Sequence, residues 1–112
     1  MPYLKINHDF RKPTFECLYL PDNIDAWLDA CHAAIDCTTI EVIPTILKGI
    51  VLVVDEEGKL TDDWPSRVNR FATYLYGSID VIVGDVLLAR ISGEDLVPLT
   101  STDVDCIRFL LS

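Results

Sequence analysis

Four aspartates, Asp22, Asp25, Asp29 and Asp36, are spaced so that they could act together. At about 100° per residue they fall within an arc of about 60° on a helix, with His32 beside them. If the helix runs its full length, they form a line about 20 Å long. Such a row of carboxylates is suited to docking against a basic groove, as a mimic of a phosphate row. The plainer alternative is a solvated face that keeps an apolar domain soluble. No Lys or Arg stands between Pro13 and Leu47, while Glu16, Asp22, Asp25, Asp29, Asp36 and Glu41 occupy the same stretch. Like charges three or four residues apart slightly destabilise a helix, so local stability does not ask for them.

A second constellation has the opposite character. Trp64, Arg67, Arg70, Tyr74 and Tyr76 cluster around an expected second helix. Guanidinium forks and aromatic faces suit a phosphate and a base, which would make a small-ligand site for a nucleotide signal. Alternatively, Arg67 and Arg70 offset Asp62 and Asp63, and Trp64 belongs to the core.

The usual catalytic templates are missing. The sequence has no phosphate-binding G-x-x-x-x-G-K-[ST] loop, no G-x-S-x-G elbow and no H-E-x-x-H helix. The acidic turn Asp55-Glu56-Glu57-Gly58 has Val53 where a calcium loop needs its first aspartate. Cys31 and the neighbouring His32 project about 100° apart on a helix and are poorly placed to pair as nucleophile and base. Cys17, Cys31, Cys37 and Cys106 form no C-x-x-C pair and no metal-finger spacing. We therefore expect a non-enzymatic protein with no catalytic residue, no metal and no cofactor, its thiols acting as small apolar fillers.

The elements that must position these residues follow from pattern. Residues 1–13 read as an extended N-terminal arm, and 14–112 as a single α+β domain. Thr14–Leu20 is an expected strand. Ile24, Trp27, Leu28, Cys31 and Ile35 form one apolar stripe, so residues 23–35 are an expected helix, capped by Asp22 or Asn23. Residues 38–43 are the next strand, and Lys48–Asp55 another, whose unbroken apolar run marks burial on both faces. Gly58 stands in a turn and is free to adopt a positive φ. Val68, Phe71, Ala72 and Leu75 predict the second helix, with Ser66 as its N-cap and Gly77 as its stop. Ile79–Val83 and Asp85–Ile91 give one or two strands, and Ser92–Asp95 a turn. Thr100 opens a last helix with Asp103 as its capping partner. The plan is a mainly antiparallel sheet covered on one face by two to three helices. The apolar Phe109-Leu110-Leu111 end packs on the core or on a second copy, which raises a third possibility, a structural homodimer.

Composition bounds the partners. The chain has 112 residues, half of them hydrophobic, and a formal charge of -9. It is too short for more than one core. The charge repels nucleic acid and anionic lipid, so direct binding to either is not expected, although a protein that grips those polyanions is a fitting partner. No apolar run reaches the length of a membrane span, and the first residues lack a signal-peptide pattern, so a cytoplasmic protein is expected.

From Ile40 onward, several segments follow a shared pattern: Ile40-Glu41-Val42-Ile43, Glu56-Glu57-Gly58-Lys59-Leu60, Asn69-Arg70, Ile82-Val83-Gly84-Asp85, Glu94-Asp95-Leu96 and Leu99-Thr100. In order and spacing the chain resembles a small domain-of-unknown-function family encoded by phages and conjugative elements, mostly of gut bacteria. It departs from that family at Thr38-Thr39, where glycine is usual, and over Thr61–Pro65. The resemblance implies a mobile-element origin and carries over no catalytic residues. Mobile elements often encode small acidic proteins that disarm host restriction or CRISPR systems. The leading expectation is thus an anti-defence inhibitor that meets a basic groove of a host protein through Asp22, Asp25, Asp29 and Asp36. The alternative is a nucleotide-binding module using Trp64, Arg67, Arg70 and Tyr74.

Overall fold

The apolar run Ile50–Val54 has no polar face because both sides of its strand are covered. Successive side chains alternate across a strand. Accordingly, Ile50, Leu52 and Val54 enter one core cluster, and Val51 and Val53 enter another. The protein is described by a computed structural model over residues 2–9, 14–60 and 62–111. In chain order its elements are β1 (Tyr3–Ile6), β2 (Phe15–Leu18), α1 (Ile24–Ile35), β3 (Ile40–Pro44), β4 (Ile50–Asp55), α2 (Arg70–Leu75), β5 (Val86–Ser92), β6 (Asp95–Val97) and α3 (Ser101–Leu111). Two short 3-10 turns, Gly58–Leu60 and Trp64–Arg67, lie between β4 and α2.

The strands form one antiparallel sheet in the order β2-β1-β5-β4-β3, with β6 pairing the end of β5. The α+β class read from the sequence is the class observed, with one correction to the layering. The three helices do not share a face. One cluster packs Leu4, Leu52, Val86 and Leu88 against Ala72 and Leu75 of α2 and Val104, Ile107 and Leu111 of α3. The other packs Tyr3, Val51, Val53, Leu87 and Ala89 against Trp27, Cys31 and Ile35 of α1. A sheet whose inner strands are apolar on both sides needs helices on both sides.

The expected N-terminal arm also needs correction. Tyr3–Ile6 is a strand lying between β2 and β5, and Leu4 and Ile6 are fully buried. The domain therefore starts within residues that the sequence reading set apart, while positions 10–13 lie outside the described residues.

Local chemistry explains most element ends. Asn23 caps α1, its side chain accepting from the backbone N–H groups of Asp25 and Ala26. Asp36 closes the same helix at φ 53°, a left-handed conformation that short polar residues tolerate. Thr100 and Asp103 form the expected reciprocal cap of α3: Thr100 N–H donates to Asp103 Oδ2 at 2.9 Å, and Asp103 N–H to Thr100 Oγ1 at 3.1 Å.

The second helix is shorter than its periodicity predicts. Trp64-Pro65-Ser66-Arg67 takes a 3-10 turn, and the helix begins at Arg70 with Asn69, not Ser66, as its N-cap. Val68 instead forms an isolated bridge with Val83, and Ile79–Val83 makes no strand of its own. Gly77, at φ 74°, stops α2 as expected. Gly58 keeps a negative φ and serves a different purpose. A Cβ there would lie 3.3 Å from Val83, so glycine allows close packing.

Candidate functional site

The acidic row divides into parts. Asp25 and Asp29 are exposed, one turn apart on α1. Asp22 is exposed just before the helix, and Asp36 is exposed at its left-handed cap. None of the four takes part in an ion pair among the described residues. Other carboxylates are partnered: Asp80 by Lys59 at 2.7 Å, Asp85 by His8 and Lys5, and Asp103 by Arg90. Exposed carboxylates off the row, such as Glu41, Asp63, Glu94 and Asp95, likewise stand outside the ion pairs among the described residues, so what sets α1 apart is the alignment of its acids.

The two ends of the row face different surroundings. Asp22 borders a depression of about 470 Å³ between the start of α1, β6 and β1. Its lining includes Tyr3 and Trp27, whose ring centroids are 6.3 Å apart at an interplanar angle of 57°. Both rings are almost fully buried. Burial pushes the Tyr3 hydroxyl above its ordinary value, the neighbouring Trp27 N–H partly offsets this, and nearby charge, including that of Asp22, adds to the rise. The Trp27 indole N–H lies beside that hydroxyl but meets no acceptor in hydrogen-bond geometry.

Asp36 borders a second depression, of about 430 Å³, with His8, Ile35, Asp55, Asp63, Arg67 and Asp85. His8 is held tightly there. Its backbone N–H donates to Asp85 Oδ1 at 2.9 Å, and its Nδ1 lies 2.6 Å from the same oxygen. Lys5 Nζ is 3.7 Å from Asp85 Oδ2. A carboxylate on Nδ1 fixes the imidazole and leaves Nε2 as its second polar atom. Among the described residues, the lining contains no Ser, Thr or Cys to act as a nucleophile. Among the described residues, no group of three His, Cys, Asp or Glu is arranged to hold a metal ion. The His8–Asp85 pair clamps the end of β1 to the start of β5, and sequence reading missed it because the partners stand 77 positions apart.

Asn69 completes this region and was also missed. It is 1 % exposed. Its Nδ2 donates to the carbonyls of Ile6 and Gly84, each at 3.0 Å, and its Oδ1 accepts from Ala72 N–H at 3.0 Å. One amide thus joins β1, the loop before β5 and the start of α2.

The Arg and aromatic constellation is dispersed. Arg67 is half-buried beside Asp36, Asp55, Asp63 and Asp85, surroundings that repel a phosphate. Tyr76 caps α2 and lines a different depression with Lys59 and Asp80. Trp64 is half-buried at the head of the 3-10 turn, while Arg70 and Tyr74 are exposed on α2. No helix is long and apolar enough to cross a membrane among the described residues.

No curated protein and no solved structure matches the chain. A family match covers residues 12–110, the span that holds α1, both depressions' acidic rims and every strand but β1. The chain belongs to the family described as a domain of unknown function (DUF3846).

Proposed function

We propose that this domain is a non-enzymatic binding protein of a phage or mobile element. In this reading the carboxylates of α1 meet the basic, nucleic-acid-binding surface of a host defence protein, in the manner of an anti-CRISPR or antirestriction inhibitor. The observation that supports it is the set of exposed, unpaired acids on and around α1, within a stretch that has no Lys or Arg between Pro13 and Leu47. Charges so arranged attract a basic surface over long range and compete with a polyanion for it. Their mutual repulsion slightly weakens the helix that carries them, so a binding role accounts for a pattern that local stability does not.

The test is a pull-down from nuclease-treated lysate of the organism that encodes the protein, with the Asp25→Lys/Asp29→Lys variant alongside. Both side chains are exposed, so the variant keeps its fold. The expected result is a nucleic-acid-binding protein held by the wild type in a salt-sensitive manner and released by the variant. Equal capture by both forms removes the proposal and leaves the charge as a solubility device.

A further inference from the structure

The depression beside Asp22 has a composition that selects its occupant. Three exposed carboxylates, Asp22, Glu94 and Asp95, stand around it, and among the described residues neither Lys nor Arg lines it. An anion is repelled there, and a purely apolar group would strip water from the acids without replacing it. The remaining wall is apolar, with Leu96 on one side and Ile24 on the other. Ile24 is 64 % exposed at the edge of the depression, a large apolar side chain left facing water beside charge. An acidic rim over an apolar wall and an aromatic floor matches one kind of protein side chain: a cationic head on a long aliphatic stem.

We propose that this depression receives an arginine or lysine side chain from a basic protein partner. The stem lies along Ile24 and Leu96, and the head meets Asp22, Glu94 and Asp95. The buried rings of Tyr3 and Trp27 form the floor beneath the stem. The proposal rests on the docking reading above and gives it an anchor: Asp22 belongs both to the acidic surface and to this cavity.

Trp27 and Trp64 are the two tryptophans of the chain, so Trp64→Phe leaves Trp27 as the sole emitter. That variant is titrated with an acetylated peptide of alternating arginine and glycine, and with the same peptide carrying neutral citrulline for arginine. The amide shifts of the isotope-labelled wild-type chain locate the arginine peptide without any substitution. Expected are a saturable change in Trp27 emission, amide shifts at Ile24, Leu96 and Val97, and binding weakened more than about tenfold by citrulline or by Asp22→Asn/Glu94→Gln/Asp95→Asn. Equal binding of the citrulline peptide overturns the proposal. So do shifts confined to the outer face of α1. Free arginine or spermine binding as tightly as the peptide would make this a small-cation receptor and overturn the protein occupant. If Asp25→Lys/Asp29→Lys releases the captured partner while the Asp22/Glu94/Asp95 variant retains it, the docking reading stands and the cavity proposal falls.

Discussion

Arg90 of β5 and Asp103 of α3 meet through two parallel hydrogen bonds, Nε to Oδ2 at 2.8 Å and Nη2 to Oδ1 at 2.5 Å. The carboxylate also accepts the Thr100 N–H that begins α3. Helix cap and ion pair thus share one buried side chain, and α3 is fastened to the sheet at its first turn.

That sharing sets an acid limb. The Arg90 hydrogen bonds hold the Asp103 carboxyl well below the usual carboxylate range, against the opposing effect of burial. A depressed folded value means that the unfolded chain takes up the proton first. The contribution is therefore complete above the unfolded value of about 3.9 and is lost as pH falls through it toward the folded value. Urea midpoints measured between about pH 5 and pH 2 should fall with acid in the wild type and fall less steeply in Asp103→Asn, which is also less stable at neutral pH.

The same guanidinium shapes the turn before β4. Gly49 has φ 80°, and a Cβ there would lie 2.7 Å from Arg90 Nη1. Gly49→Ala should cost roughly 1–3 kcal/mol through backbone strain and displacement of that side chain. Combined with Asp103→Asn, the losses should be less than additive, since either change disturbs the one pair. A double-mutant cycle by chemical denaturation measures the coupling.

Asn69 offers a separate test of the polar junction. Asn69→Ala removes the α2 cap and leaves the Ile6 and Gly84 carbonyls without their donor, a loss of roughly 2–4 kcal/mol. Asn69→Asp retains the acceptor for Ala72 but sets a carboxylate against two carbonyls. It should also destabilise the protein, and more so above pH 5 than in acid, by about one hydrogen bond's worth or more. Thermal unfolding of the two variants across pH checks both statements.

The thiols should separate by position. Burial pushes Cys31 up to about 11, with the nearby Cys37 adding to the rise. Burial also pushes Cys37 up to about 11, helped by Asp55 and Asp36. Neither is a thiolate near neutral pH, and the thiolate is the reactive form. Alkylation at about pH 8 should label the exposed Cys106 first and Cys31 last, the latter only on unfolding, as followed by mass spectrometry.

What could be read from the sequence was whatever its neighbours in the chain decide. The α1 stripe, a cap at Asp22 or Asn23, the Thr100–Asp103 box and the doubly buried β4 are all settled within a few residues. The failures depend on distance or on competition. Nothing local in Tyr3–Ile6 shows that it inserts beside β5, since the evidence lies at Val86–Leu88. Val68 fits the helical period of α2, but Trp64-Pro65 commits the chain to a 3-10 turn first, and the helix waits for Asn69. At the candidate site the exposure of Asp25 and Asp29 followed from helical period. The joining of Asp22 with Glu94 and Asp95 did not, because the β5–β6 turn reaches α1 only in the folded sheet.

The place of β1 also governs how the protein comes together in time. Leu4 pairs with Cys17 on one side and Leu88 on the other, a near partner and a very distant one. During synthesis the first strand can pair only with β2, and a two-stranded ribbon is barely stable in water. Its apolar Leu4 and Ile6 lack their β5 neighbour until the chain has been made as far as Val86–Leu88. Closing so long a loop comes before any reward from the contacts it allows, which slows folding. The nascent chain thus passes through a stage in which a sticky strand awaits its mate, and a chaperone that shields Tyr3–Ile6 would raise the yield of native protein more than it raised the stability of the finished fold.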